Sequence, residues 1–196
     1  MQSLNREIVI ILGKTGYGKS TWLSRYCGGK KRIFAYDPFA KFPTTYLSDE
    51  QLLQAVVRGD FEKGKTFSVG SFRLDDLELI GALSFVTGDC LLVIEEAGFI
   101  WSKGERIPEW LSEIVFLGRH QEVSLAITAQ GAALIPIDLR SQAHRVIAFW
   151  QTEKRDTDWL ENYFHEMSED IFTLPKFECL DSEDNNVTRY KVFPVM

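Results

Sequence analysis

Apolar residues in this chain fall in short unbroken runs separated by polar, glycine-punctuated stretches. Residues 8–12 read IVIIL, 32–36 RIFAY, 90–94 CLLVI, 123–128 VSLAIT and 145–150 RVIAFW. Runs of this length, rich in β-branched side chains, are too short for helices and predict strands buried on both faces, as in a parallel sheet. Helical stretches fall between them. Residues 19–27 are closed by Gly28 and Gly29, 48–58 open on the caps Ser48, Asp49 and Glu50, and 75–85 carry Leu79, Ile80 and Leu83 at helical spacing. Pro108 opens a helix through Leu117, and 156–164 read as a short acidic helix. Residues 65–71 alternate as a strand does, whereas 99–107, FIWSKGERI, follow neither period and predict a loop. At the end of the chain, 177–180 and 188–195 predict two strands joined by the polar turn DSEDNN, an edge hairpin. The alternation implies an α/β fold with a mainly parallel central sheet flanked by helices.

Directly after the first run stands GKTGYGKST, comprising Gly13, Lys14, Thr15, Gly16, Tyr17, Gly18, Lys19, Ser20 and Thr21. Its glycines let the backbone take positive φ and approach an anion closely, so that successive N–H groups can cradle phosphates at a helix N-terminus. Lys19 adds a point charge for the phosphates, and the Ser20 hydroxyl is a candidate Mg²⁺ ligand. A strand before the loop and a helix after it supply the context that separates a phosphate loop from a glycine-rich turn.

The run at 90–94 ends in Glu95 and Glu96. Ligands of open α/β sheets collect at the C-terminal edge of the strands, so a buried strand delivering acids there suits a magnesium–nucleotide site. Glu96 is the candidate for orienting the attacking water, and Glu95 for holding Mg²⁺ directly or through water. Gln130 follows the 123–128 run and can hydrogen-bond both water and γ-phosphate. Each of these has a bland counterpart, a surface Glu-Glu pair or an ordinary strand-end amide.

Charge is unevenly spread. Residues 1–152 hold 17 acidic and 17 basic side chains, while 153–186 hold 11 acidic and 3 basic. A polyanion would therefore approach the neutral part through local clusters. Lys30, Lys31 and Arg32 form the densest one, which fits a solvated turn better than a phosphate contact. Lys103 and Arg106 are better DNA candidates because their loop follows the acid-bearing strand; that loop also suits a subunit contact anchored by Trp101. Cys27, Cys90 and Cys179 have no paired spacing and read as reduced core thiols. No His or Cys spacing suggests a further metal, and no nucleophile-elbow motif appears. The start MQSLNRE lacks signal-peptide character and no apolar stretch is long enough to span a bilayer, so a soluble intracellular protein is expected, with one domain over 1–196.

Taken in order, GKTGYGKS, YDP after the second run, LLVIEEAG, GRHQEVSLAITAQ and DLRSQAHRVIAFW resemble the DNA-pumping ATPases of the FtsK and HerA superfamily. They are most similar to its viral branch, the genome-packaging ATPases of membrane-containing icosahedral viruses. The resemblance covers about residues 7–152, leaving the acidic end and hairpin at 153–196 as an extension. It implies a RecA-like P-loop NTPase that uses ATP and Mg²⁺, assembles as a homo-oligomeric ring, a hexamer, and moves double-stranded DNA. It further implies action in the host cytoplasm or at a virion packaging vertex, beside capsid or viral membrane proteins. On this resemblance Lys19 and Ser20 are Walker A positions, Glu96 the Walker B catalytic acid and Gln130 the sensor. Glu95 stands where the family more often has Asp. A neighbouring subunit's arginine completes such sites, and Arg119 is the first candidate here, Arg140 the second.

Two other classes fit parts of the pattern. A small-molecule or nucleoside kinase would use Asp37 for an acceptor hydroxyl, with Arg140, Arg145 and Arg155 as a sparse lid. A phage assembly ATPase that does not translocate DNA would share the nucleotide site and commonly continue into a membrane span.

Overall fold

A computed structural model describes residues 6–102, 104–152, 157–183 and 186–193. The apolar runs become the strands of one sheet: β1 (Ile8–Leu12), β2 (Arg32–Tyr36), β3 (Thr45–Tyr46), β4 (Phe67–Ser71), β5 (Cys90–Ile94), β6 (Val123–Ala129), β7 (Arg145–Ala148), β8 (Glu178–Glu183) and β9 (Asn186–Lys191). Their order across the sheet is β3-β4-β2-β5-β6-β1-β7-β8-β9. The first seven are parallel, and β8 and β9 close the edge in antiparallel fashion.

Alternation within β1 explains why its run is continuous. Ile8, Ile10 and Leu12 enter a core with α2 (Asp49–Val57), α3 (Leu77–Thr87), α4 (Glu109–Leu117) and α6 (Thr157–Phe164). Val9 and Ile11 enter the opposite core with Trp22, Leu23 and Cys27 of α1 (Lys19–Cys27). A sheet covered on both faces leaves no solvent side for polar residues.

Local chemistry sets the boundaries. Ser48 caps α2 by accepting from the Gln51 N–H at 3.3 Å, while the Gln51 side chain accepts from the Ser48 N–H at 2.9 Å. The predicted helix at 75–85 starts as a 3₁₀ turn at Leu74–Asp76 and becomes regular only from Leu77. A short helix α5 (Ile137–Arg140) precedes β7. The polar stretch DSEDNN is not wholly a turn: Asp181, Ser182 and Glu183 belong to β8 and Asn186 to β9. Asp181 is buried because Arg145 on β7 grips both its oxygens, at 2.8 and 2.7 Å. Asp181 also accepts from the Tyr190 hydroxyl of β9, which in turn accepts from Trp22 Nε1 at 2.7 Å, so the hairpin is fastened to both β7 and α1. The cluster at 30–32 does not act as a unit. Arg32 is buried and donates to the carbonyls of Phe61, Glu62, Lys65 and Asp89, tying the α2–β4 and α3–β5 loops to the start of β2 at the N-terminal edge.

Candidate nucleotide site

Because β6 lies between β1 and β5, the C-terminal ends of these strands bring three separate sequence signals to one edge: the glycine-rich loop, the paired acids and Gln130. The loop is shaped by a contact that sequence reasoning missed. Gly13 has φ +146°, and a Cβ there would lie 2.5 Å from Phe149 Cβ, at the end of β7. Gly13 N–H donates to the Ala129 carbonyl at 3.2 Å and Lys14 N–H to that of Trp150 at 3.0 Å, so the loop is moored to β6 on one side and to the segment after β7 on the other. Gly16, at φ +84°, has open space around it. Lys14, Thr15, Gly16 and Ser20 are exposed, Tyr17 and Thr21 half-buried, and Gly18 buried at the start of α1. The Tyr17 ring stacks on Trp150 at 4.7 Å, with Lys14 over the Trp150 ring.

Lys19 is 5% exposed and points back into the loop, where Nζ donates to the Gly13 carbonyl at 2.8 Å. The same Nζ lies 3.5 Å from Glu96 Oε1, which joins the glycine-rich loop and the acid-bearing end of β5 in one ion pair. Glu96 itself sits in the left-handed region, φ 54° and ψ 63°, immediately after β5. A non-glycine residue there is held by its surroundings. Its N–H donates to Thr128 Oγ1 at 2.8 Å, and the Thr128 hydroxyl donates to Glu95 Oε2 at 3.1 Å. One β6 side chain therefore fixes both acids. Thr128 was legible only as a polar residue inside an apolar run.

Glu95 is buried, and burial pushes its carboxyl up to about 7; the Thr128 bond and Lys19 oppose the rise, while Asp37 and Glu96 add to it. A divalent cation would oppose it too. Ser20, in the first turn of α1 and exposed, and Glu95 supply oxygen donors of the type Mg²⁺ takes, so the residues fit that ion. Among the described residues no group of three or more His, Cys, Asp or Glu could hold a metal ion.

The other candidates divide by position. Gln130 is exposed just past β6, one residue beyond the Ala129–Leu12 pairing. Arg119 is also exposed, but in the turn before β6, at the opposite edge of the sheet. At about 3.3 Å per residue the strand places Arg119 roughly 20 Å from its own chain's acids, beyond reach within one chain. Arg140 packs its guanidinium over Trp159 at 5.8 Å, its Nε buried and without a hydrogen-bond partner among the described residues. Arg106 is exposed; Lys103 lies outside the described residues. Trp101 is 5% exposed and belongs to the core, so it is no surface anchor for a subunit contact.

Asp37 is also committed. Its carboxylate accepts from the N–H groups of Phe39, Lys41 and Phe42 and from the Tyr46 hydroxyl, which folds the loop after β2 and creates the two-residue strand β3. Burial alone would raise this carboxyl, but those bonds outweigh burial and hold it below the usual range. Of the arginines a kinase lid would use, Arg145 is engaged by Asp181, and Arg155 lies outside the described residues.

The sequence matches no family model and no curated protein. Solved structures do resemble it. The genome packaging NTPase B204 from Sulfolobus turreted icosahedral virus 2, in complex with AMPPCP, aligns with a TM-score of 0.74 at 20% identity, covering 97% of this chain and 98% of that one. The DNA-packaging ATPase B204 from Sulfolobus turreted icosahedral virus gives 0.69 at 18%, covering 98% and 100%. The pCW3 conjugation coupling protein TcpA gives 0.64 at 14%, covering 99% of this chain and 62% of that one. At these identities what is shared is architecture: over nearly its whole length, this chain has the P-loop NTPase fold of the viral genome-packaging NTPases.

Proposed function

We propose that this protein is a Mg²⁺-dependent ATP hydrolase of the FtsK and HerA type, which works as a homo-oligomeric ring, a hexamer, to move double-stranded DNA in viral genome packaging. The observation that carries the reading is the junction of Lys19 with Glu96 at 3.5 Å, beneath a phosphate loop and beside a buried Glu95. In this reading the loop N–H groups and Lys19 hold the triphosphate, and Ser20 and Glu95 hold Mg²⁺, which neutralises charge on the β- and γ-phosphates. Glu96 orients the attacking water and Gln130 senses the γ-phosphate. Arg119 reaches the site of an adjoining subunit, with Arg140 as the alternative. Arg106 and Lys103 contact DNA, and capsid or viral membrane proteins at a packaging vertex are the partners. The likeness in fold to B204 supports this reading, and the engagement of Asp37 with its own loop speaks against a kinase.

The test is ATP turnover with and without double-stranded DNA, for the wild type and Glu96→Gln. DNA stimulation in the wild type, with a loss of about 10²-fold or more in the variant, is the expected result. Turnover that ignores DNA and survives Glu96→Gln would sink both the motor and the assignment of Glu96.

A further inference from the structure

Two exposed apolar patches flank the two halves of the proposed composite site. The first lies at the C-terminal edge. Phe99 is 58% exposed and Phe39 48% exposed, and their rings meet edge to face at 5.3 Å. Lys41 lies over the Phe39 ring. Phe99 belongs to the 3₁₀ turn after β5, and its N–H donates to the Glu96 carbonyl at 2.9 Å, so whatever covers Phe99 presses on the turn that holds Glu96. Phe39 lies in the loop folded around Asp37. Large aromatic side chains standing together in water are a marked departure from a monomer's ordinary surface.

The second patch lies at the opposite edge, where Phe116 and Leu117 end α4 with 48% and 49% exposure. Arg119 follows them after Gly118. Arg6 fixes this corner by donating to the carbonyls of Ile114 and Val115. Its Nε is buried without a partner among the described residues, and Arg119 stands close enough to act on its charge. This corner sets the Arg119 guanidinium beside apolar side chains, with Glu113 and Glu122 exposed nearby, whereas the first patch adjoins Glu96 and the seat of a triphosphate. Among the described residues, Lys19 is the basic side chain in ion-pair contact with Glu96.

We propose that these patches dock onto each other between copies of this chain, Phe116 and Leu117 of one copy seating on Phe39 and Phe99 of the next, and thereby carry Arg119 to that copy's Glu96. The inference rests on the ring reading above and specifies its interface. Arg119 and Glu96 are opposite in charge, each patch adjoins one half of the site, and the two patches sit at opposite edges of the molecule. A contact between unlike surfaces is heterologous, and it closes into a ring when its rotation permits. An isologous dimer would instead pair like with like.

The mixing experiment distinguishes these. Phe39→Ser with Phe99→Ser removes the accepting patch, and Phe116→Ser with Leu117→Ser the donating one. All four residues are exposed, so both variants are expected to fold; circular dichroism melts verify this. Sedimentation velocity is run with a non-hydrolysable ATP analogue and magnesium, and again without nucleotide. The wild type assembles beyond a dimer, each variant alone stays monomeric, and their equimolar mixture stops at a dimer, because one intact interface remains per pair. A monomeric wild type, a folded variant that assembles as the wild type does, or a mixture that stays monomeric overturns the proposal. Analogue binding is measured on the same samples. Its absence in the wild type overturns the nucleotide reading alone, because assembly without nucleotide still judges the interface.

Discussion

The Glu96 N–H donates to Thr128 Oγ1 at 2.8 Å, and this one bond ties the strained residue after β5 to the strand beside it. Because the Thr128 hydroxyl also donates to Glu95, Thr128→Val removes two bonds and leaves a buried carboxylate one partner short. A stability loss of about 1–3 kcal/mol is expected from urea unfolding. Thr128 is a positioning residue, so kcat for ATP should fall about tenfold or more with KM little changed. Thr128→Ser, which keeps the hydroxyl, should restore most of it; if Ser does no better than Val, the bridge does not position the acids.

Lys19 makes a second separable claim. Lys19→Ala removes the charge that meets Glu96 and the donor to Gly13, so nucleotide affinity should drop by about 10- to 100-fold or more, as for lost charge-assisted bonds. Glu96→Gln should bind nucleotide nearly as the wild type does while failing to turn it over. Titration with a fluorescent ATP analogue checks both, and equal binding by Lys19→Ala and wild type would refute the phosphate contact.

The phosphate loop should tolerate side chains unequally. Gly16→Ala meets only the backbone penalty of positive φ, about 1–2 kcal/mol, since nothing crowds that position. Gly13→Ala adds a collision with Phe149 at 2.5 Å and should cost distinctly more. Denaturant midpoints rank them directly, and the reverse order would contradict the mooring of the loop on β7.

Asp37 supplies the pH dependence. Its carboxyl is held below the usual range, so its contribution to stability is complete above the unfolded value, about 3.9, and is lost as pH falls through the lower folded value. Asp37→Asn should lower stability by about 1.5–3 kcal/mol at pH 7. That gap should hold down to about pH 5 and narrow below about 4. A gap that persists at low pH would mean that the ionised form is not what folds the loop.

The strands and the phosphate loop were legible because their signals are local: β-branched runs, glycines at fixed offsets, and Ser48 three residues before Gln51. What escaped depends on partners distant in sequence. Asp181 reads as a turn residue until Arg145, 36 positions away, buries it in β8. Thr128 gains meaning only when β5 and β6 pair, and Phe149 only when β7 lies under Gly13. Trp101 has no period to mark it, yet lies in the core. The two-residue β3 exists because the Asp37 carboxylate gathers its loop, which no run of residues 45 and 46 announces.

Strand β6 carries Thr128 near one end and follows the turn that holds Arg119 at the other, and its central residues, Leu125 to Ile127, are paired with strands on both sides. A strand so held cannot stretch, so it behaves as a strut of fixed length. In a ring joined through the two apolar patches, each strut would run from the site that its own chain closes to the site it completes next door. A shift of a fraction of an ångström at one γ-phosphate would then be felt at the neighbour's as a displacement rather than absorbed as slack, which would give the ring an order of firing.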